Sequence, residues 1–138
     1  MRLWHYDLIK VLPNQMLVSQ WRECIAIKRQ WEKGTLKHRL VSYVKEHNKE
    51  YFMQYVAHID IEMTMRKIKH QDKYYNEILS FCEEDIDNEA DYEEIPYPEH
   101  NNRYLKQCYY NLQEKADRGI ITTEEWKKIE DFIESEVN

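Results

Sequence analysis

Two glycines and three prolines in 138 residues leave little material for the tight turns that a sandwich or barrel of short strands requires. No apolar run approaches the roughly 18 to 20 residues of a membrane span, so no membrane association is expected. The opening "MRLWHYDLIKVLP" carries charge too early and too often for a secretory signal. Cys24, Cys82 and Cys108 lack the number and spacing of a disulfide framework, which predicts buried thiols in a reducing, cytoplasmic setting. Also missing are a P-loop, a GxGxxG turn and any Ser or Cys in a nucleophile motif. His38, His47, His58 and His70 form neither HExxH nor a Cys/His zinc spacing, so no metal and no cofactor is expected.

What is present is charge and aromatic surface: 33% charged residues, eleven tyrosines and four tryptophans. The aromatics suit either a core or a stacking platform for a ligand. A net charge of −6 hides an asymmetry. Residues 1–70 hold thirteen Lys and Arg against seven Asp and Glu, and residues 71–138 hold seven against nineteen. Fields act over a Debye length of about 8 Å, so a basic face can bind phosphate while an acidic half faces away. Uneven solvated surface gives the same counts.

The apolar spacing reads as helix throughout, with no strand alternation and no internal repeat. A first helix runs from Pro13 to about Lys33, with Leu17, Trp21, Cys24, Ile25 and Trp31 on one arc and Gly34 as its stop. Gln15, Ser19, Arg22, Ala26, Arg29 and Lys33 fall opposite, with Glu23 on the flank. A second helix is expected from Thr35 to His47. A third, capped by Asn48, is expected to reach about His70 through Phe52, Tyr55, Val56, Ile59, Met63 and Met65. A shorter one spans Tyr74 to Cys82. The acidic, proline-bearing stretch that follows reads as a long loop. Arg103 to Arg118 and a last helix with a Thr122/Glu125 capping box complete the chain. The expectation is an all-α, compact single domain over 1–138: a basic half (1–84), an acidic loop (85–102) and a C-terminal helical hairpin (103–138).

Within "SQWRECIAIKRQW", Arg22 and Glu23 stand among residues that want a core. Glu62 and Arg66 read as an i, i+4 surface pair worth some tenths of a kcal/mol. An α-amine, with a pKa of about 7.7–8.0 against about 10.4 for lysine, is a ready Schiff-base nucleophile. A glutamate near it can shuttle protons.

The order Gln15, Leu17, Trp21-Arg22-Glu23, followed by Glu50-Tyr51-Phe52, Glu62 and Arg66, resembles the pyrimidine-dimer DNA glycosylase (endonuclease V-like) family. "MRLWH", "VKEHNKEYF" and "PYPEHNNRYL" are similar to a bacterial branch grouped with it. The resemblance covers about residues 1–70 and, thinly, 95–118. It implies a compact helical fold and a dual activity, glycosylase and abasic-site lyase, on damaged or abasic DNA. Carried over, the α-amine of Met1 is the imine former and Glu23 the acid/base, with Arg2 and Arg22 on phosphates and Arg29 and Lys33 on the same basic face. Arg2 is bulky, so Met1 is expected to be retained. Two other readings stay open: a non-catalytic DNA- or protein-binding module on the same scaffold, whose protein partner would meet the acidic C-terminal half, and a purely structural helical protein.

Overall fold

The computed structural model describes residues 1–87 and 93–137, and among them there are helices and no strands. Five α-helices follow one another: α1 (Asn14–Glu32), α2 (Lys49–Met65), α3 (Asp72–Cys82), α4 (Asn102–Asp117) and α5 (Thr123–Val137). Short 3-10 segments lie at Tyr6–Val11, Ser42–Glu46 and Glu83–Asp85. The all-α expectation holds. Of the expected acidic loop, residues 88–92 lie outside the described residues.

Helix ends follow local chemistry. After α1, Gly34 takes φ +74°, and the Thr35 N–H closes back on Gln30 O at 2.8 Å, a glycine-dependent stop. Asn48 Oδ1 accepts from Glu50 N at 2.8 Å to begin α2, as its sequence position suggests. At α5 the capping box forms reciprocally, with Thr122 N donating to Glu125 Oε1 (2.9 Å) and Glu125 N to Thr122 Oγ1 (3.1 Å).

Two expectations need correction. Thr35–His47 is not an α-helix: the chain turns and forms only the 3-10 segment Ser42–Glu46. Its buried residues are Leu36, Val41 and Val44, while Leu40, expected on the buried stripe, is 46% exposed. The α2 helix stops at Met65 rather than near His70. Lys67 adopts φ +61°, and Ile68 N reaches Met63 O at 2.8 Å, the same closure used after α1 but without a glycine. Met65 consequently points to solvent instead of extending the buried stripe of Phe52, Tyr55, Val56, Ile59 and Met63.

Helix α2 is the central element, flanked by α1 and α3, with the Tyr6–Val11 segment laid across it. Leu17, Trp21, Cys24 and Ile27 of α1 meet its buried face, and Ile78, Leu105, Cys108, Leu112 and Ile129 complete one core. All three cysteines are free and buried, as expected. The tyrosines are mostly core: Tyr43, Tyr51, Tyr55, Tyr97 and Tyr104 surround His100 with ring centroids 5 to 6 Å apart or are themselves so linked. Among the described residues, no helix is long and apolar enough to cross a membrane.

Arg66 does far more than pair with Glu62 (3.1 Å). Its guanidinium also donates to Leu12 O (2.5 Å), Asn14 Oδ1 (3.0 Å) and Lys10 O (3.0 Å), tying off the carbonyl end of the Tyr6–Val11 segment where α1 begins. A planar fork with five donors suits that cluster, and a lysine does not. Arg66→Ala is expected to destabilise the fold by about 3 kcal/mol in urea unfolding, with Arg66→Lys recovering less than half. A loss below about 1 kcal/mol would reduce Arg66 to a surface pair.

Candidate active site

Residues 2–4 form no regular structure, so their backbone groups need partners from elsewhere. Side chains from three helices supply them. Gln20 of α1 donates to Arg2 O (2.9 Å), Tyr104 of α4 to Leu3 O, and Tyr55 of α2 to Trp4 O (2.7 Å). Trp4 N returns a bond to Gln20 Oε1 at 2.7 Å, which fixes which end of that amide is oxygen. Gln20 is fully buried, and its remaining N–H reaches Glu23 Oε2 at 3.1 Å. One buried amide therefore registers the start of the chain against the carboxyl group.

Glu23 is half-buried. Burial raises its pKa above the ordinary carboxylate range, and four positive influences oppose the rise: the N-terminal amine, the Arg2 backbone N–H, His38 and Lys115. The carboxyl opens into a cleft of about 220 Å³ shared with Trp4, Met16, Ser19 and Lys115. A carboxyl group whose pKa is raised by burial, beside an amine, is equipped to give and take protons.

Met1 is 37% exposed, and its amine is close enough to act on Glu23. Arg2 is half-buried, its guanidinium 5.5 Å from the Trp4 ring centre and its Nη1 4.0 Å from Cys108 Sγ. Arg22 faces away from Glu23. It lines a separate groove of about 550 Å³ with Trp21, Arg29, Lys69, His70 and Tyr74, on a face of α1 offset by more than a right angle. Within that groove Arg29 is held by Glu77 through Nε and Nη2, both at 3.0 Å. His70 places both ring nitrogens against acceptors, Ile68 O at 2.9 Å and Asp60 Oδ1 at 2.5 Å. Burial works against its charge, but these bonds outweigh burial and raise its pKa. Lys33 is exposed beyond the end of α1.

The structure thus brings Met1, Arg2 and Glu23 together, sets Arg22 and Arg29 in a second groove, and leaves Lys33 apart. Sequence reasoning missed Gln20, although an amide between Leu17 and Cys24 on the apolar arc was a readable signal. Lys115 offered none, being remote in sequence and unremarkable among surface lysines. Among the described residues, no group of three or more His, Cys, Asp or Glu side chains is placed to hold a metal ion.

Residues 1–76 match the family model for pyrimidine dimer DNA glycosylase. No curated protein and no solved structure matches the chain. The matched segment includes Met1, Arg2, Gln20, Arg22 and Glu23, and it ends within α3, before α4 and α5. A match over more than half the chain, together with the helical fold, makes this protein a member of the pyrimidine dimer DNA glycosylase family, which implies a DNA glycosylase role and binding to damaged DNA.

Proposed function

We propose that the chain is a DNA-repair glycosylase with abasic-site lyase activity, working through a Schiff base on the α-amine of Met1. The observation carrying this reading is the fully buried Gln20, whose amide bonds both Arg2 O and Glu23 Oε2. It registers the start of the chain, whose amine acts on Glu23, against a carboxyl whose pKa burial raises.

In this mechanism the unprotonated amine attacks C1′ of the damaged nucleotide and the base leaves with the electron pair of its glycosidic bond. Glu23 takes the proton that the bonded amine loses and passes it to the ring oxygen as the C1′–O4′ bond breaks, giving an iminium linkage between Met1 and the opened sugar. The iminium acidifies C2′–H, a base removes that proton, and the 3′ phosphate departs by β-elimination. Water then releases the sugar from Met1. Arg2 meets phosphate beside this centre, while Arg22 and Arg29 in the second groove and Lys33 beyond the end of α1 meet phosphates farther along the duplex, with arginine's fork suited to the task. Arg29 would first have to release Glu77, so its contribution is the smallest of the three arginines.

Borohydride trapping on an oligonucleotide with one abasic site tests the reading. A covalent adduct mapping to the Met1 peptide is expected, and acetylation of the α-amine should abolish it while the fold persists. If a folded protein gave no adduct while a control lyase did, the chain would be a non-catalytic DNA-binding module on this scaffold.

A further inference from the structure

Tyr6, His58 and Glu94 bring three side chains to one point on the surface, away from the Glu23 cleft, whose lining includes none of them. The Tyr6 hydroxyl donates to Glu94 Oε1 and also meets His58 Nε2, and His58 Nε2 lies 3.1 Å from that same carboxylate oxygen. A phenol oxygen, an imidazole nitrogen and a carboxylate oxygen therefore form a closed triangle. With Glu94 ionised, the phenol and the neutral imidazole supply at most two protons to its three edges. A metal ion capping the triangle bonds all three atoms at once. Ligand atoms about 2.0–2.1 Å from an ion and at right angles to one another stand about 2.9 Å apart. The His58–Glu94 separation is close to that spacing.

Ligating side chains are oriented by partners outside the ligand shell, and this set has them. Tyr6 is fixed through its backbone N–H, which donates to His100 Nδ1 at 3.0 Å, and its ring meets the His58 imidazole edge-on at 4.6 Å. Glu94 is bracketed by Gln54, one turn before His58 on α2. Gln54 Nε2 donates to Glu93 O and Gln54 Oε1 accepts from Ile95 N, both at 2.9 Å. One amide thus pins the backbone on both sides of the carboxylate. The His58 side chain is 28% exposed and that of Glu94 54%, which leaves the outer side of the triangle open to an ion and to water. Histidine spacing in the sequence could not reveal this set, since one ligand is a phenol and Glu94 stands 88 residues from it.

We propose that Tyr6, His58 and Glu94 form a metal site for ferric iron, with water completing the coordination shell. Two of the three donors are hard oxygens, and imidazole suits iron as well. A phenol, with an ordinary pKa of about 10, gives up its proton to solvent at neutral pH only when a strongly acidic cation takes its place. A trivalent ion meets that demand and balances both oxygen anions. Bound there, it joins the first residues of the chain to α2 and to the segment before α4.

The test adds ferric nitrilotriacetate to the full chain without DNA and follows the visible charge-transfer band that a phenolate gives on ferric iron. One equivalent should produce the band in wild type. Tyr6→Phe, which keeps the ring, should abolish it. Gln54→Ala, which removes no ligand, should weaken binding about tenfold, and His58→Gln and Glu94→Gln should each weaken it more. Tyr110→Phe, at a tyrosine that is 60% exposed and remote from the set, should change nothing. Thermal midpoints check that each variant folds. Absence of the band in folded wild type, or its persistence in Tyr6→Phe, would overturn the assignment. So would an equal loss in Tyr110→Phe, or unchanged binding in His58→Gln and Glu94→Gln. The outcome is independent of abasic-site trapping, so either reading can fail while the other stands.

Discussion

Glu23→Gln is expected to reduce abasic-strand cleavage by about a hundred- to ten-thousand-fold while leaving the protein at least as stable as wild type. The two halves of that result have separate causes. Loss of activity follows because an amide neither gives nor accepts a proton at the reacting sugar. Stability is retained because burial penalises the charge of Glu23 and raises its pKa despite the nearby amine, Arg2 N–H, His38 and Lys115. A neutral side chain of the same shape avoids that desolvation and still accepts the Gln20 amide proton at 3.1 Å. Sign and pH window follow together. A carboxyl with a raised folded pKa costs stability above that pKa, and the cost disappears on acidification. Glu23→Gln should therefore raise the thermal midpoint at pH 7.5 and converge with wild type in acid. Unchanged cleavage would remove Glu23 from the mechanism. Lost cleavage with a lowered midpoint would make its role structural.

Acid should unfold this protein earlier than its surface charge alone requires, with His100 as the main cause. Its Nδ1 accepts the Tyr6 N–H at 3.0 Å, so the neutral ring carries its proton on Nε2, which faces the Tyr43 hydroxyl at 2.7 Å. A second proton would set Nδ1–H against the Tyr6 N–H inside a shell of tyrosines. Burial, with a smaller contribution from His5, lowers the His100 pKa from 6.5 to about 3. Between those values the unfolded chain binds a proton that the folded chain refuses, so folding free energy falls with pH across that window. His100 alone removes about 4 to 5 kcal/mol by the lower end. His5, also lowered by burial, adds in the same direction, and relief at Glu23 opposes both. Urea midpoints between pH 7.5 and 4 give the slope directly, and a histidine proton titration followed by NMR assigns it. Flat stability over that range, or a His100 titrating near 6.5, would refute the account.

The fold was legible wherever a helix end had a chemical signature. Asn48, Gly34 and the Thr122/Glu125 box each announced a boundary that the structure keeps. Lys67 announced nothing, because nothing in a lysine's chemistry marks it for the positive φ it adopts. The Thr35–His47 stretch misled because its apolar residues were counted as a helical stripe, when Leu36, Val41 and Val44 enter the core from an irregular path. In the candidate site, Glu23 and the chain's start were visible as types in an order. Their fastening was not, since it depends on hydroxyls from Tyr55 and Tyr104 that arrive from distant helices.

That fastening also sets a timetable. Leu3 waits for Tyr104, 101 residues downstream, and Tyr6 for His100, 94 residues downstream. At synthesis rates of about 5 to 20 residues per second, that separation is about 5 to 20 seconds on the ribosome. Closing so long a loop is slow relative to helix formation, so Gln20 and Tyr55 can hold Arg2 and Trp4 well before Tyr104 and His100 complete the fastening. A nascent chain thus carries its amine on a segment that is only partly fastened. The start of the chain is fully fastened only once α4 has been made.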